Sequence, residues 1–178
     1  MKKENQCLFI LCGEAFSGKS TLAEKIAKIY EAKIVGRDKI YFAIDSILAL
    51  ENTSDEDDDK LWKNLWPIAV QGVKNQLLLG NSVVVDDNCL YLSQREELYS
   101  LAKNLGIKYV LVYLNIAAKT LKERKEQNKI DKNRHDVPSG WLEKDNKLFE
   151  RPSKNENPLI FTENDALDKM LKKLKVNL

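Results

Sequence analysis

Two glycines, a lysine and a serine carry the clearest chemistry in this chain. They stand in the order Gly13-Glu14-Ala15-Phe16-Ser17-Gly18-Lys19-Ser20, followed by Thr21. Gly13 and Gly18 let the backbone turn tightly, so that consecutive N–H groups face an anion. Lys19 sets a point charge against terminal phosphates, and the Ser20 hydroxyl is a ligand for Mg²⁺. This is the P-loop pattern G-x-x-x-x-G-K-[ST], also called Walker A. Gly13, Glu14, Ala15, Phe16, Ser17, Gly18, Lys19, Ser20 and Thr21 are therefore expected to hold ATP. A bland Gly-containing turn with an incidental lysine does not account for the apolar run Leu8-Phe9-Ile10-Leu11 before it. Nor does it account for the helical pattern Leu22, Ile26, Ile29 after it. Strand, glycine loop and helix N-terminus together form a preorganised anion site.

Phosphoryl transfer from ATP needs more than phosphate binding. A carboxylate near the Mg²⁺ water shell is expected at the end of a strand beside the P-loop strand. Asp86, following Val83-Val84-Val85, fits that place. Asp87 is expected to face the other way, toward an acceptor. Helix capping or loop solvation is the competing reading of this pair. Asp38, after Lys33-Ile34-Val35 and Gly36-Arg37, stands where it can orient an acceptor hydroxyl and take its proton. An N-cap for the following helix is its alternative role, and both are compatible.

The elements that must position these groups alternate. Strands are expected at 8–11, 33–35, 83–85, 109–114 and 159–161. Helices are expected at about 38–50, 61–79 with Pro67 as a boundary or kink, 119–128 and 165–175. A further helix opens at a capping box Ser93-Gln94-Arg95-Glu96 and stops near Gly106. Residues 51–59, polar and acidic, are expected to form a loop. This βα alternation predicts an α/β three-layer P-loop NTPase with a mainly parallel five-stranded sheet of nucleotide-kinase type. Ligands then sit at the carboxyl ends of the strands, where the P-loop, Asp38 and Asp86 fall.

Bulk properties bound the rest. The chain of 178 residues is expected to be one domain, and its formal charge of +2 does not by itself argue for nucleic acid. Three cysteines, Cys7, Cys12 and Cys89, form no C-x-x-C pair and suit reduced thiols in a cytoplasmic protein. No signal peptide and no membrane span are expected. Trp62 and Trp66 lie one helical turn apart and read as core packing or as a wall of an acceptor pocket. The acidic residues 55–59 lack the glycine and distal glutamate of an EF-hand and read as a solvated segment favouring the next helix N-terminus. The basic stretch 119–134 reads as a solvated lid face or as contact with ATP or an RNA backbone. His135, the one histidine, is expected at the surface.

With these motifs assembled, the sequence resembles the small P-loop kinases that include L-seryl-tRNA(Sec) kinase and the 5′-hydroxyl kinase domain of polynucleotide kinases. The resembling residues are 13–21, Gly36-Arg37-Asp38 and the stretch 83–95. In that stretch Asp86, Asp87, Asn88, Tyr91, Ser93 and Arg95 together carry the likeness. Residues 121–124, Val137-Pro138, Phe149-Glu150-Arg151-Pro152 and Asn157-Pro158-Leu159-Ile160 continue it, so that it covers roughly 7–162. The resemblance implies an ATP- and Mg²⁺-dependent kinase that transfers the γ-phosphate to a hydroxyl, with Lys19, Asp38 and Arg124 as catalytic residues. Ser20 and Asp86 attend the metal, and a mobile lid spans about 119–150. The acceptor is a hydroxyl on a nucleic acid, nucleoside or small molecule, with RNA or tRNA as a candidate partner. Two positions depart from the pattern. Tyr41 stands where those relatives commonly carry arginine, and Asn128 stands four residues beyond Arg124 where a second lid arginine is common. Arg134 or Lys129 is the expected substitute cation. Seryl-tRNA kinases carry a further helical domain for tRNA, which is not expected in a chain ending at Leu178. The departures keep a second function in view, a nucleotide-gated ATPase serving as an RNA- or protein-binding accessory module.

Overall fold

The computed structural model describes residues 6–48, 55–131 and 139–176. Strand β1 (Cys7–Cys12) leads through the glycine loop into helix α1 (Lys19–Tyr30), and β2 (Lys33–Val35) into α2 (Arg37–Leu48). Helix α3 (Asp55–Leu78) precedes β3 (Val83–Val85), and α4 (Leu92–Leu105) precedes β4 (Lys108–Leu114). Helices α5 (Ala118–Asp131) and α6 (Ser139–Leu148), a short 3₁₀ turn, β5 (Leu159–Phe161) and α7 (Leu167–Val176) complete the chain. The strands form one parallel sheet in the order β2-β3-β1-β4-β5.

Strand β1 is central and buried on both faces, as its unbroken apolar sequence requires. Its side chains alternate between two cores. Phe9 and Leu11 pack with Leu22 and Ile26 of α1, Phe161 of β5 and Leu174 of α7. Leu8, Ile10 and Cys12 pack on the other face with Val73 and Leu77 of α3 and Leu98 and Ala102 of α4. Each fully buried Leu or Ile contributes about 1.5–3 kcal/mol relative to an exposed one. Because the strands are parallel, the carboxyl ends of β1, β2 and β3, at Cys12, Val35 and Val85, lie at the same edge of the sheet.

Several element bounds differ from the sequence expectation, each for a physical reason. Helix α2 begins at Arg37, so Asp38 lies inside the first turn and is not the N-cap. Helix α3 begins at Asp55, not near 61, because acidic residues favour a helix N-terminus. It continues past Pro67, which is exposed, so the carbonyl that loses its N–H partner can bond water. The cap of α4 is built from Tyr91, whose N–H donates to Gln94 Oε1 at 3.3 Å, two residues earlier than the Ser93 box. Helix α6 was not legible as a separate element. His135 and Arg134, as well as Val137-Pro138, lie outside the described residues.

Candidate active site

The glycine loop adopts the geometry its sequence demands. Gly13 has φ +149° and Gly18 φ +101°, and a Cβ at Gly13 would stand 2.8 Å from the Leu114 carbonyl oxygen. Phe16 also takes a left-handed conformation, at φ +63°, a position unusual for an aromatic residue and of the kind that clusters at ligand clamps. Lys19 is buried and reaches back across the loop. Its Nζ donates to the carbonyls of Gly13 (3.0 Å) and Glu14 (2.9 Å) and to Ser17 Oγ (3.4 Å). Ser20 follows in the first turn of α1. Lysine, hydroxyl and the α1 N-terminus are thus brought to one mouth.

Arg124 arrives from α5, far away in sequence. Its Nη1 donates to the carbonyls of Phe16 (3.2 Å) and Ser17 (2.9 Å), so a lid-helix guanidinium is fastened directly onto the phosphate loop. A cavity of about 430 Å³ opens beside this contact, lined by Phe16, Thr21, Leu114, Arg124, Asn128 and Met170 among others. Its size and its largely apolar lining with a few polar groups suit the base and ribose of a nucleotide whose phosphates enter the loop. Asn128 occupies this wall, buried, and Lys129 does not. Lys129 is exposed and paired with Glu126 at 3.0 Å.

A second wall of the site is built by α2, α3 and the segment after β3. Asp38 remains open to solvent, yet the protein crowding its carboxyl desolvates it and pushes its pKa up. Asp87 and Asp86 add to the rise, and Lys19 and Arg37 oppose it. Among the described residues the Asp38 carboxylate takes part in no hydrogen bond or ion pair. Asp86 is half-buried, and its backbone packs so closely on Gly36 that a Cβ there would stand 2.4 Å from the Asp86 carbonyl oxygen.

Asp87, expected toward an acceptor, is held in a buried ion pair. It is buried and accepts two hydrogen bonds from Arg37, at 2.6 Å from Nε and 2.5 Å from Nη2, with a third from the Cys89 N–H at 3.2 Å. Burial alone would raise its pKa. The Arg37 guanidinium beside it and these hydrogen bonds hold it below the usual carboxylate range. The same pairing, working against burial, pushes Arg37 up. Arg37 lies over both indoles, 5.4 Å from the Trp62 ring centre and 5.5 Å from that of Trp66. Tyr41 stacks parallel on Trp62 at 5.4 Å, and Trp66 Nε1 donates to Glu97 at 2.7 Å. Trp66 packs against the core as expected, and both tryptophans also flank the cation that holds Asp87.

Asn88 joins three parts. Its carbonyl accepts the Gly13 N–H at 3.2 Å, and its Nδ2 donates to Asp145 of α6 at 3.3 Å. Burial pushes the Asp145 carboxyl up, Arg37 and the Asn88 amide pull it down, and Asp87 pushes it up again. Arg95, almost wholly buried, anchors the same segment by donating to the Cys89 carbonyl at 2.9 Å and to Glu156 at 2.7 Å. Arg37, Asn88, Asp145 and the nucleotide cavity were missed as site features from sequence. Arg37 and Asn88 lay inside the quoted motifs, next to Asp38 and Asp87, and that adjacency was the available signal. Asp145 had none.

Ser20 and Asp86 offer hard oxygen donors of the kind Mg²⁺ takes alongside phosphate oxygens. Desolvation is the main cause of the raised Asp38 pKa, and Asp87 and Asp86 add repulsion that a divalent cation there would relieve. The residues present therefore fit the metal.

A glycine loop between a central parallel strand and a helix, flanked by carboxylates at neighbouring strand ends, defines a P-loop NTPase with a kinase-like fold. Residues 7–175 match the family described as chromatin associated protein KTI12, and the chain belongs to that family. Among solved structures it is similar to a putative kinase from Chloroflexus aurantiacus J-10-fl, with 16% identity and TM-score 0.75 over 98% of this chain and 100% of the other. Kti12 of Chaetomium thermophilum, in complex with ADP-AlF3, aligns with 16% identity and TM-score 0.67 over 96% and 98% of the two chains. The APS kinase of Mycobacterium tuberculosis, in complex with AMPPNP and APS, aligns with 17% identity and TM-score 0.62 over 98% of each. At these identities the likeness establishes the fold. No curated protein matched the chain. Among the described residues no helix is long and apolar enough to cross a membrane.

Proposed function

We propose that this protein is an ATP- and Mg²⁺-dependent kinase that transfers the γ-phosphate to a hydroxyl. The observation that carries the reading is the unpartnered Asp38 carboxylate standing within electrostatic reach of Lys19. A phosphate loop alone serves many ATPases; a free, desolvated carboxylate on its acceptor side is what proton removal from an alcohol needs. The resemblance to seryl-tRNA and polynucleotide kinases supports the same acceptor chemistry. In the step, the acceptor O–H gives its proton to Asp38 and its oxygen bonds the γ-phosphorus. The bond from that phosphorus to the β–γ bridging oxygen breaks, and ADP leaves with the electron pair.

Lys19 supplies positive charge at the β- and γ-phosphates, where negative charge develops. Ser20 and Asp86 would hold Mg²⁺, which when bound neutralises phosphate charge. Arg124 fixes the loop through the Phe16 and Ser17 carbonyls, and we read about 119–150 as the lid of a single domain. A cytoplasmic setting suits three free cysteines, all buried.

Tyr41 on Trp62 and Asn128 in the cavity wall stand in place of two arginines, and they favour a second reading. In it the protein is a nucleotide-gated ATPase that binds RNA or a protein partner. Labelled ATP with a panel of nucleosides, RNA 5′ ends, seryl-tRNA and small alcohols separates the two. Acceptor-dependent ADP release with a labelled product supports the kinase; hydrolysis indifferent to every acceptor supports the gate.

A further inference from the structure

The middle of α6 is tied to the phosphate loop through one residue. Asn88 offers two different groups. Its main-chain carbonyl accepts the Gly13 N–H at 3.2 Å, and its side-chain amide donates to Asp145 Oδ2 at 3.3 Å. Asp145 stands three residues after Leu142, on the same face of α6. Leu142 is buried in the cluster that also holds Phe16 of the loop. That face is therefore turned inward, and its Asp145 carboxyl is half-buried and desolvated. An apolar residue at 145 would seal α6 more tightly. A desolvated carboxyl needs its hydrogen bond while α6 is packed and finds water when α6 moves away, so the contact opens at little net cost. Beyond Leu148 the chain is fastened again. Phe149 packs on Tyr113 at 5.9 Å between ring centres, and the Glu150 N–H donates to the Leu90 carbonyl at 2.8 Å. These fixed residues give α6 a pivot, and Asn88 gives it a catch.

We propose that Asn88 is a positioning residue that latches α6 against the phosphate loop, so that bound nucleotide leaves only after the Asn88–Asp145 bond opens. The inference rests on the kinase reading for a nucleotide at the loop and is indifferent to the acceptor. Two readouts test it: amide hydrogen exchange of α6 in the nucleotide-free protein, and release of N-methylanthraniloyl-ADP from its Mg²⁺ complex, chased with unlabelled ADP. Asn88→Ala deletes the amide and keeps the carbonyl that serves Gly13. It is expected to speed α6 exchange and ADP release about tenfold, the scale of one hydrogen bond to a charged group. Asn88→Asp sets two carboxylates against each other and should speed both further. Adding Asp145→Asn to it exchanges donor and acceptor and should bring both rates back toward the parent's. Melting temperature and the exchange of β3 and α4 should hold, which a general loosening of the segment would not allow.

Unchanged ADP release in Asn88→Ala would overturn the inference. So would a lack of recovery in the exchanged pair, or exchange that rises alike in α6, β3 and α4. Each of those outcomes leaves the kinase reading standing. ADP release that follows the latch, with no labelled product from any acceptor offered with ATP, removes the kinase reading and leaves the latch. A parent protein that binds no ADP overturns both.

Discussion

Replacing Arg37 by methionine should invert how the protein's stability responds to pH. Methionine keeps the stem that packs on Trp62 and Trp66 but removes the two hydrogen bonds to Asp87, whose side chain is 5% exposed. Breaking a buried pair by removing one partner costs about 3–5 kcal/mol, because the remaining charge is stranded. For a chain of this size that lowers the melting temperature by roughly 6–20 °C. In the parent, Asp87 is held below its unfolded value, near 3.9. The stability it contributes is present above that value and is lost as pH falls through the folded value. In Arg37→Met the balance changes sign. Burial now dominates, the folded pKa rises above the unfolded one, and stability falls as pH climbs from about 4. Parent and variant should therefore differ most near pH 7 and converge near pH 3. Urea denaturation followed by tryptophan fluorescence reads this directly, since Trp62 and Trp66 flank the substitution. A loss below about 1 kcal/mol at pH 7, the scale of a surface pair, would refute the reasoning. So would a loss that is the same at pH 3 and pH 7.

Further outcomes follow from the same geometry. Lys19→Ala should keep the fold and lower turnover ~10²-fold or more, checked by ATP consumption and nucleotide calorimetry. Asp86→Asn should weaken nucleotide binding in Mg²⁺ more than in its absence; equal losses would move the metal role away from Asp86. Gly36→Ala drives a methyl into the Asp86 carbonyl oxygen and should cost about 1–3 kcal/mol in denaturation, with weaker Mg²⁺–nucleotide binding. Glu156→Gln should destabilise by about 3 kcal/mol, because Arg95, 1% exposed, loses its counter-charge; a melting scan checks it.

What was legible in the sequence depended on range. The phosphate loop is written in eight consecutive residues, and its glycines and lysine serve local needs that no distant contact can change. The sheet was legible because β1 and β3 are short, unbroken apolar runs flanked by turn residues, as parallel strands covered on both faces should be. The α3 start was misread because a run of aspartates looks like a loop until its position at a helix N-terminus is known. The Asp87 ion pair was missed because it depends on Arg37, fifty residues earlier, and no spacing rule links the two. The Asn88–Asp145 contact and the Arg124 contact with the loop span 57 and 108 residues, and the nucleotide cavity is assembled from the loop, α5 and α7 together. Such features exist only once the chain has folded.

The central claim, hydroxyl phosphorylation assisted by Asp38, is tested most directly by Asp38→Asn. Since the Asp38 carboxylate bonds no described residue and does not cap α2, the substitution removes a base while leaving the scaffold alone. Labelled product from a competent acceptor should fall ~10²- to 10⁴-fold, while ATP affinity and melting temperature stay within error. Full phosphotransfer by the Asp38 variant would contradict the account.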